Sequence, residues 1–231
     1  MRPRHLVLVV GTGTDIGKTW VSARVLSTLR AAGVTVAARK PAQSFDPGAD
    51  PASLDSALLG AATGEPSELV CRPSRWYEVA MAPPMAADML GRDSFTVAEL
   101  VEEVSWPPSH VDVGLVESAG GVRSPQTHDG DAVALMRALA PDVVLLVADA
   151  GLGTINAVRL SAGALADGAG ADAGVEGAVV GGLKIVVVLN RFDGHNDLHE
   201  RNRRWLADRD NMCVVTVPGE EKELAALVRG R

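Results

Sequence analysis

The sequence predicts one α/β domain in which a single doubly wound, mainly parallel sheet is flanked by helices. Short apolar runs alternate with helix-like segments along most of the 231 residues. The runs are rich in valine and mostly continuous, which is typical of strands that are covered on both faces. A glycine-rich loop joins the first run to the first helix-like segment. No shift in composition marks a boundary, so residues 1–231 are expected to form one domain.

Six segments have the pattern of strands, because each is short, apolar and bounded by turn residues. They are Leu6–Val10, Val34–Arg39, Val111–Glu117, Val143–Asp149, Leu183–Asn190 and Met212–Val217. Six more have helical periodicity or capping signals. They are Trp20–Ala32, Ala52–Ala62, Val97–Val104, Ala132–Ala140, Leu198–Asp208 and Glu221–Val228. This alternation implies right-handed βαβ units, with residues 212–231 as a short terminal strand and helix.

Two regions interrupt the alternation. Cys71–Met89 contains Ala82-Pro-Pro-Met85 and is expected to be an ordered loop that enters a short helix. Gly163–Gly182 is rich in glycine, alanine and aspartate, and is expected to be a surface insertion or a frayed helix end.

The composition argues against several classes of protein. A net charge of −7 and an aromatic content of 3% disfavour a general affinity for nucleic acid or for an anionic membrane. Cys71 and Cys213 are too few for a disulfide framework or a cysteine-based zinc site. The first apolar run is too short for a signal peptide, and no segment has the length of a membrane span. A cytoplasmic protein is therefore expected.

The first predicted strand leads into the loop Gly11-Thr-Gly-Thr-Asp-Ile-Gly-Lys-Thr19. Such a loop points backbone N–H groups at an anion, and the following helix adds the positive end of its dipole. It is a variant of the P-loop, because Thr12 stands where the standard motif has glycine. Lys18 is expected to reach the β- and γ-phosphates, and the Thr19 hydroxyl to bind Mg²⁺. The other expected nucleotide-binding positions of the loop are Gly13, Thr14, Asp15, Ile16 and Gly17.

Further polar residues follow the ends of predicted strands. Lys40 comes directly after the second strand, Glu117 ends the third and Asp149 ends the fourth. Because ligands bind at the carboxyl ends of parallel strands, these residues are expected to share one edge with the P-loop. Magnesium needs hard oxygen ligands besides Thr19. Glu117 is the first candidate and Asp55 the second.

Taken together, these motifs resemble the dethiobiotin synthetase family of ATP-dependent cyclo-ligases. The resemblance extends from the P-loop to about Asn190. It depends on the order and spacing of Gly11-Thr-x-Thr-Asp-x-Gly-Lys-Thr19, Lys40-Pro-x-x-Ser44, Asp55, Ala82-Pro-Pro84, Glu117-x-Ala-Gly-Gly121 and Gly151-Leu-Gly-Thr-Ile-Asn156.

The resemblance implies that CO₂ or bicarbonate, ATP and the vicinal diamine 7,8-diaminononanoate are converted into a cyclic urea. A carbamate formed on one amine attacks the γ-phosphate, and the second amine then displaces phosphate. Lys18 and Lys40 would neutralise charge, while Thr14 and Ser44 would orient the carbamate. Mg²⁺ would be held by Thr19, Asp55 and Glu117. Glu117 and Asn190 complete the expected ATP-binding set, and Asn190 with Asp193 is expected at the nucleobase, adenine or guanine.

The resemblance also implies a homodimer. In the family, the substrate carboxylate binds a helix N-terminus that belongs to the neighbouring subunit. Here that element starts after Gly153 and offers the N–H groups of Thr154, Ile155 and Asn156. Ser44 and Gly120 are the remaining expected substrate contacts.

The chain departs from the family pattern at Asp15, Phe45, Ser118 and Ala157, and Phe45 is expected to narrow the substrate pocket. Three alternatives remain. One is another P-loop ligase, of cobyrinate type or for a different diamine. Another is a GTPase-like switch, because Glu117-Ser-Ala-Gly120 and Asn190-Arg-Phe-Asp193 resemble GTPase motifs. The third is a partitioning ATPase of the ParA kind, although residues 11–16 lack its signature lysine.

Overall fold

The computed structural model describes residues 1–170, 179–180 and 183–230. Most of the described strands are short and apolar. They are β1 (His5–Gly11), β2 (Val36–Arg39), β3 (Gln43–Ser44), β4 (Trp76–Tyr77), β5 (Val113–Glu117), β6 (Val143–Asp149), β7 (Val179–Val180), β8 (Leu183–Asn190) and β9 (Cys213–Val217).

One sheet carries all of these strands except β3 and β4. Its order is β2-β5-β1-β6-β8, and every neighbouring pair in that series is parallel. Beyond β8 lie β9, which is parallel to it, and the two-residue strand β7, which is antiparallel. The predicted mainly parallel sheet is thus confirmed.

The described helices follow the strands and connect them across the sheet. They are α1 (Lys18–Ala31), α2 (Asp55–Thr63), α3 (Ser67–Val70), α4 (Pro83–Met89), α5 (Val97–Glu102), α6 (Ala132–Leu139), α7 (Thr154–Gly168), α8 (Asp197–Arg204) and α9 (Glu221–Val228). Single 3₁₀ turns occupy Pro51–Ser53 and Pro73–Arg75, and a π-helical turn at Trp205–Arg209 continues α8. None of the helices described is both long and apolar enough to cross a membrane.

Both faces of the sheet are covered. Along β1, Leu6, Leu8 and Val10 face a core completed by α6 and α7, while Val7 and Val9 face one completed by α1, α2 and α9. Burying a leucine or valine side chain contributes about 1.5–3 kcal/mol. The two cores therefore hold the carboxyl ends of the strands, and the loops that leave them, in fixed positions.

The structure shifts one predicted helix in a way that matters for the site. The Asp50 carboxylate accepts a hydrogen bond from the N–H of Ala52 and so caps a helical turn. That turn is only the 3₁₀ turn Pro51–Ser53, because Leu54 is extended. A new helix, α2, then begins at Asp55 instead of continuing from Ala52. Asp55 is therefore a helix-terminal residue and is free to point towards the P-loop.

The segment between Lys40 and α4 is more ordered than the sequence indicated. β3 and β4 form a small parallel sheet, in which Gln43 pairs with Trp76 and Ser44 with Tyr77. The short helix expected near Pro83 is present as α4. Residues 163–168, expected in an insertion or frayed end, belong to α7, where Leu165 is fully buried. Residues 171–178 and 181–182 of that segment lie outside the described residues.

Candidate active site

The P-loop connects β1 to α1 and is curled around its own lysine. Gly17 has a φ of 87°, in the left-handed region that favours glycine. A Cβ atom at Gly17 would lie 2.1 Å from Nδ2 of Asn190, so any other residue would strain the backbone and displace the Asn190 side chain. The Nζ of Lys18 donates a hydrogen bond of 2.9 Å to the carbonyl of Gly13. The loop is thus closed around a lysine that is almost fully buried.

The end of β8 supports the back of this loop. Asn190 donates from Nδ2 to the carbonyl of Ile16 at 2.8 Å, and Arg191 donates to the carbonyl of Asp15 at 2.6 Å. The Oδ1 atom of Asn190 is buried and has no hydrogen-bond partner among the described residues. Asn190 therefore contacts the backbone of the phosphate loop, a contact that the sequence did not predict.

Two carboxylates, one hydroxyl and one ammonium group meet beside the P-loop. The Thr19 hydroxyl lies 2.7 Å from Oδ1 of Asp55 and 2.7 Å from Oε1 of Glu117. The Nζ of Lys40 lies 2.7 Å from Oδ2 of Asp55 and 2.9 Å from Oε1 of Glu117. A hydroxyl has one proton and so donates to one carboxylate at a time. We call Thr19, Lys40, Asp55 and Glu117 the carboxylate cluster.

Strand order explains why these residues meet. Lys40 directly follows β2, Glu117 ends β5 and the P-loop follows β1, and these three strands are neighbours in the sheet. The carboxyl ends of neighbouring parallel strands lie at one edge, so their last residues are brought together. Asp55 joins them from the start of α2.

Burial and charge act together on the protonation of this cluster. Burial disfavours the charge on Lys40, but the carboxylates of Asp55 and Glu117 outweigh it and raise the pKa of Lys40 above its ordinary value. Burial works against ionisation of Asp55 too, and the Lys40 ammonium still lowers the pKa of Asp55. For Lys18, burial and the nearby Lys40 lower the pKa to about 8.

The donor set of the cluster suits a magnesium ion. The oxygens of Thr19, Asp55 and Glu117 converge within hydrogen-bond distance, and Mg²⁺ prefers such hard oxygen ligands. Among the described residues, no group of three or more His, Cys, Asp or Glu side chains is arranged to hold a metal. The cluster therefore resembles the incomplete protein shell of a magnesium ion that also takes phosphate oxygens.

Two adjoining cavities open on the cluster. The smaller, of about 430 Å³, is lined by Lys18, Lys40, Thr19 and Arg191 among others. The larger, of about 730 Å³, extends away from the P-loop between residues 44–55 and 80–83. The linings of both cavities include Thr14, Asp15, Ser44, Asp55, Ala119 and Gly120.

The wall of the larger cavity is formed by two chain segments that bind each other. The Ser44 hydroxyl donates to the carbonyl of Met81. The next residue, Phe45, lines the larger cavity and packs edge-on against Trp76, with 6.5 Å between the ring centroids. Phe45 thus occupies the wall of this cavity.

Sequence reasoning missed two buried polar residues that hold the site. The hydroxyl of Ser22 donates to Oε2 of Glu117 at 2.7 Å. The amide of Gln126 pairs with the backbone of Ala119, donating to its carbonyl at 2.7 Å and accepting from its N–H at 2.9 Å. Both lie outside the recognised motifs, and no spacing or composition marks them.

The start of α7 is not brought to these cavities. Gly153, with a φ of 92°, precedes the helix, and none of the residues 153–156 lines the cavities described above. The N–H groups of Ile155 and Asn156 have no acceptor within the described residues. The hydroxyl of Thr154 is buried and has no hydrogen-bond partner there either. Within one chain, this expected carboxylate site is separate from the carboxylate cluster.

The residues of this site lie within the part of the chain that matches known proteins. A family model described as an AAA domain matches residues 5–203. The chain is 42% identical over 153 residues to an ATP-dependent dethiobiotin synthetase BioD of Caulobacter vibrioides, a match covering 65% of this chain and 68% of that protein. It is 34% identical over 215 residues to the protein of the same name from Haloferax mediterranei, covering 93% of this chain and 84% of the relative.

Solved structures are similar at the level of the fold. A plasmid partition protein from Borrelia burgdorferi superposes with a TM-score of 0.54 at 12% identity, covering 99% of this chain and 97% of that one. A DUF1611 family protein from Anabaena variabilis gives 0.52 at 17% identity, covering 99% and 58% respectively. At such identities the likeness shows a shared fold alone.

Proposed function

Since the chain belongs to the ATP-dependent dethiobiotin synthetase family, we propose that it closes a cyclic urea from a vicinal diamine and CO₂ at the expense of ATP. The diamine is 7,8-diaminononanoate, and the product serves biotin biosynthesis. The observation that carries this proposal is Lys40, which is buried between Asp55 and Glu117 beside the P-loop and lines the smaller cavity. Lys40 is a second cation beside Lys18, and this suits a reaction in which an anionic carbamate must approach the γ-phosphate of ATP.

The reaction needs no protein nucleophile. One amine of the diamine adds to CO₂ and loses a proton, which gives a carbamate. A carbamate oxygen attacks the γ-phosphorus of ATP, and the bond from that phosphorus to the bridging oxygen of ADP breaks. The second amine then attacks the carbonyl carbon, inorganic phosphate leaves and the ring closes. Catalysis of these steps depends on positioning and on fixed charge.

Lys18 and Lys40 supply the positive charge. Lys18 is the first residue of α1 and would bind the β- and γ-phosphates, while Lys40 would neutralise the carbamate and the phosphoryl group in transfer. Thr14 and Ser44 line both cavities and would orient the carbamate by hydrogen bonds. Gly120 lies beside Thr14, since a Cβ atom at Gly120 would be 3.8 Å from the Thr14 hydroxyl oxygen. A Cβ atom at Gly120 would also lie 2.5 Å from the Ser124 hydroxyl oxygen, so the glycine is needed for packing against Ser124. Gly120 lines both cavities, where it would contact the substrate.

Thr19, Asp55 and Glu117 would hold Mg²⁺. The ion would neutralise negative charge on the phosphates of ATP during phosphoryl transfer. Asn190 would fix the P-loop through Ile16. Its Oδ1 atom is buried without a partner among the described residues and would accept from a nucleobase donor.

The substrate carboxylate would bind Gly153–Asn156 of a neighbouring subunit, so the working unit would be a homodimer. The N–H groups at the start of α7 that have no acceptor among the described residues support this assignment, because a helix N-terminus attracts a carboxylate. Its separation from the cavities of its own chain also supports a role in the partner. The cytoplasmic location expected from the sequence stays a prediction.

A coupled assay of ADP release tests the function. We expect negligible nucleotide hydrolysis without diamine and bicarbonate, a strong increase with both, and a cyclic urea detected by mass spectrometry. One reason is that the amide of Gln126 is already bound to Ala119, so it is not free to position water. Lys222→Ala, an exposed lysine on α9, is the matched control for lysine variants in the site. Rapid GTP hydrolysis in buffer alone would instead support a GTPase-like switch.

A further inference from the structure

Glu117 is a completely buried carboxylate. It ends β5, which lies between β2 and β1, and its side chain has no exposure to solvent. A buried carboxylate is tolerated only when its oxygens have hydrogen-bond or ion-pair partners. The partners of its two oxygens therefore decide how the group is oriented.

The two oxygens of Glu117 have different partners. Oε1 accepts from Lys40 at 2.9 Å and lies 2.7 Å from the Thr19 hydroxyl. Oε2 has one partner among the described residues, the hydroxyl of Ser22 at 2.7 Å. Thr19 and Lys40 line the smaller cavity, and Ser22 does not. Oε1 thus points to the cavity and Oε2 to the core.

The geometry of α1 explains this division. Thr19 and Ser22 are three residues apart, so their side chains lie on the same face of the helix. Thr19 is half-buried at the cavity, and Ser22 is fully buried one turn further along. Buried serines in helices often donate to the carbonyl of the preceding turn. Here Ser22 gives its only proton to a carboxylate instead.

We propose that Ser22 is a positioning residue, which holds the Glu117 carboxylate so that Oε1 is presented to Thr19, Lys40 and the magnesium ion. The proposal rests on the magnesium role of Glu117 proposed above. Without the Ser22 hydroxyl, Oε2 has no partner, and the carboxylate turns towards whichever donors remain. The metal shell would then lose its alignment while the P-loop stayed intact.

Binding of Mn²⁺ to the full chain, in the presence of a non-hydrolysable ATP analogue, tests this proposal. The EPR signal of free Mn²⁺ reports the affinity, and calorimetry without metal reports nucleotide binding. We expect Ser22→Ala to weaken Mn²⁺ binding roughly tenfold, the lower end of what loss of a residue that supports a metal ligand costs. Metal-free binding of the analogue should not change. Ser22→Thr keeps the hydroxyl and should restore most of the metal affinity.

Ser27→Ala is the matched control, because Ser27 is an exposed serine on the same helix and should leave both affinities unchanged. Wild-type Mn²⁺ affinity in Ser22→Ala would overturn the proposal. Equal losses in Ser22→Ala and Ser22→Thr would do the same, since the size of residue 22 would then be what matters. If Ser22→Ala does not fold, Ser22→Cys gives the same test, because a thiol of similar size is a weak donor.

Glu117→Gln separates this inference from the function on which it rests. Loss of Mn²⁺ binding in Glu117→Gln together with loss in Ser22→Ala supports both. Loss in Glu117→Gln alone overturns the role of Ser22 and leaves the magnesium role of Glu117 standing. Undiminished Mn²⁺ binding in Glu117→Gln overturns the magnesium role, and the positioning role of Ser22 with it.

Discussion

The two cavities that meet at the carboxylate cluster differ in the balance of their charges. The smaller cavity is lined by three cations, Lys18, Lys40 and Arg191, and by the two shared carboxylates of Asp15 and Asp55. The larger one has the same two aspartates and adds Asp46, and no lysine or arginine lines it among the described residues. Thr14, Ser44 and Gly120 line both cavities and so lie at the boundary between them. A single groove thus offers one end to an anion and the other to a cation.

This difference matches the two substrates of the proposed reaction. ATP brings phosphates to the basic end. A vicinal diamine carries at least one ammonium group at neutral pH, because the pKa of an alkyl amine lies near 10. The carbamate, which is anionic, would form at the boundary between the two cavities, beside Lys40. The contrast between the cavities therefore predicts different consequences for changes at each end.

The largest effect is expected at the basic end. Lys18→Ala should weaken ATP binding by roughly 10- to 100-fold, since a hydrogen bond to a charged group contributes about 1.5–3 kcal/mol. Lys40→Ala should leave ATP affinity nearly unchanged and lower kcat by roughly 10²- to 10³-fold, as loss of one fixed donor to a developing charge does elsewhere. Calorimetry with ATP and steady-state kinetics measure the two quantities.

Thermal unfolding of both variants and of Lys222→Ala must accompany these measurements, because Lys40 also balances two carboxylates. Equal losses of ATP affinity in Lys18→Ala and Lys40→Ala, with both proteins folded, would contradict the separate roles. The smaller cavity would then act as one undivided phosphate site.

A second test asks whether the larger cavity is completed by another subunit. Lys18→Ala keeps an intact α7, and Asn156→Trp keeps an intact P-loop and adds bulk at an exposed position. The two proteins are mixed, unfolded, refolded and assayed at a diamine concentration at which neither parent is active. The mixture should regain about a quarter of wild-type activity. Random pairing makes half of the dimers mixed, and each mixed dimer has one complete site of two.

The control is a mixture of Lys18→Ala with Lys40→Ala. Both residues line the same cavity of one chain, so no mixed dimer has a complete site and activity should not return. Activity that stays at the sum of the parents in the first mixture, with mixed dimers verified by mass spectrometry, would contradict a shared site.

The smallest effect is expected at the acidic end. Asp46 is exposed, and its carboxylate forms no ion pair within the described residues. Asp46→Asn should raise KM for the diamine about two- to fivefold with kcat unchanged, because an exposed charge pair contributes about 0.2–1 kcal/mol. The difference from wild type should shrink in high salt.

Asp50→Asn is a control with the same change of charge in the same loop. Asp50 does not line the cavity, and an asparagine oxygen still caps the N–H of Ala52. The same increase of KM in both variants would mean that the overall charge of the loop, and not Asp46 in the cavity lining, attracts the diamine.

The basic end was more accessible to sequence reasoning than the acidic end. Lys18 could be placed because it belongs to a P-loop. Lys40 and Glu117 could be placed because one follows and the other ends an apolar strand, and parallel strands bring their ends together. The pairing of Gln43–Ser44 with Trp76–Tyr77 has two residues in each strand, which is too short for any periodic signal. The wall that it supports was therefore not predicted.

Single side chains were missed for a related reason. The hydrophobic pattern of α1 predicts the helix and its buried face, but Ser22 looks like any small residue on that face. Its role depends on which strand end packs opposite, and that is known only once β5 lies beside β1. The predicted helix Ala52–Ala62 begins too early for a similar reason, because the Asp50 carboxylate caps only the 3₁₀ turn Pro51–Ser53 and α2 starts at Asp55.

Lys40 and Glu117 also constrain how this sequence can evolve. Their side chains are 3% and 0% exposed and carry opposite charges, so each makes the other tolerable in the interior. Removing one partner of such a buried pair costs about 3–5 kcal/mol, whereas replacing both by apolar residues is often neutral for folding. Substitutions at these two positions are therefore expected to be strongly epistatic. A lineage that loses the activity should lose Lys40 and Glu117 together, and its proteins should still fold.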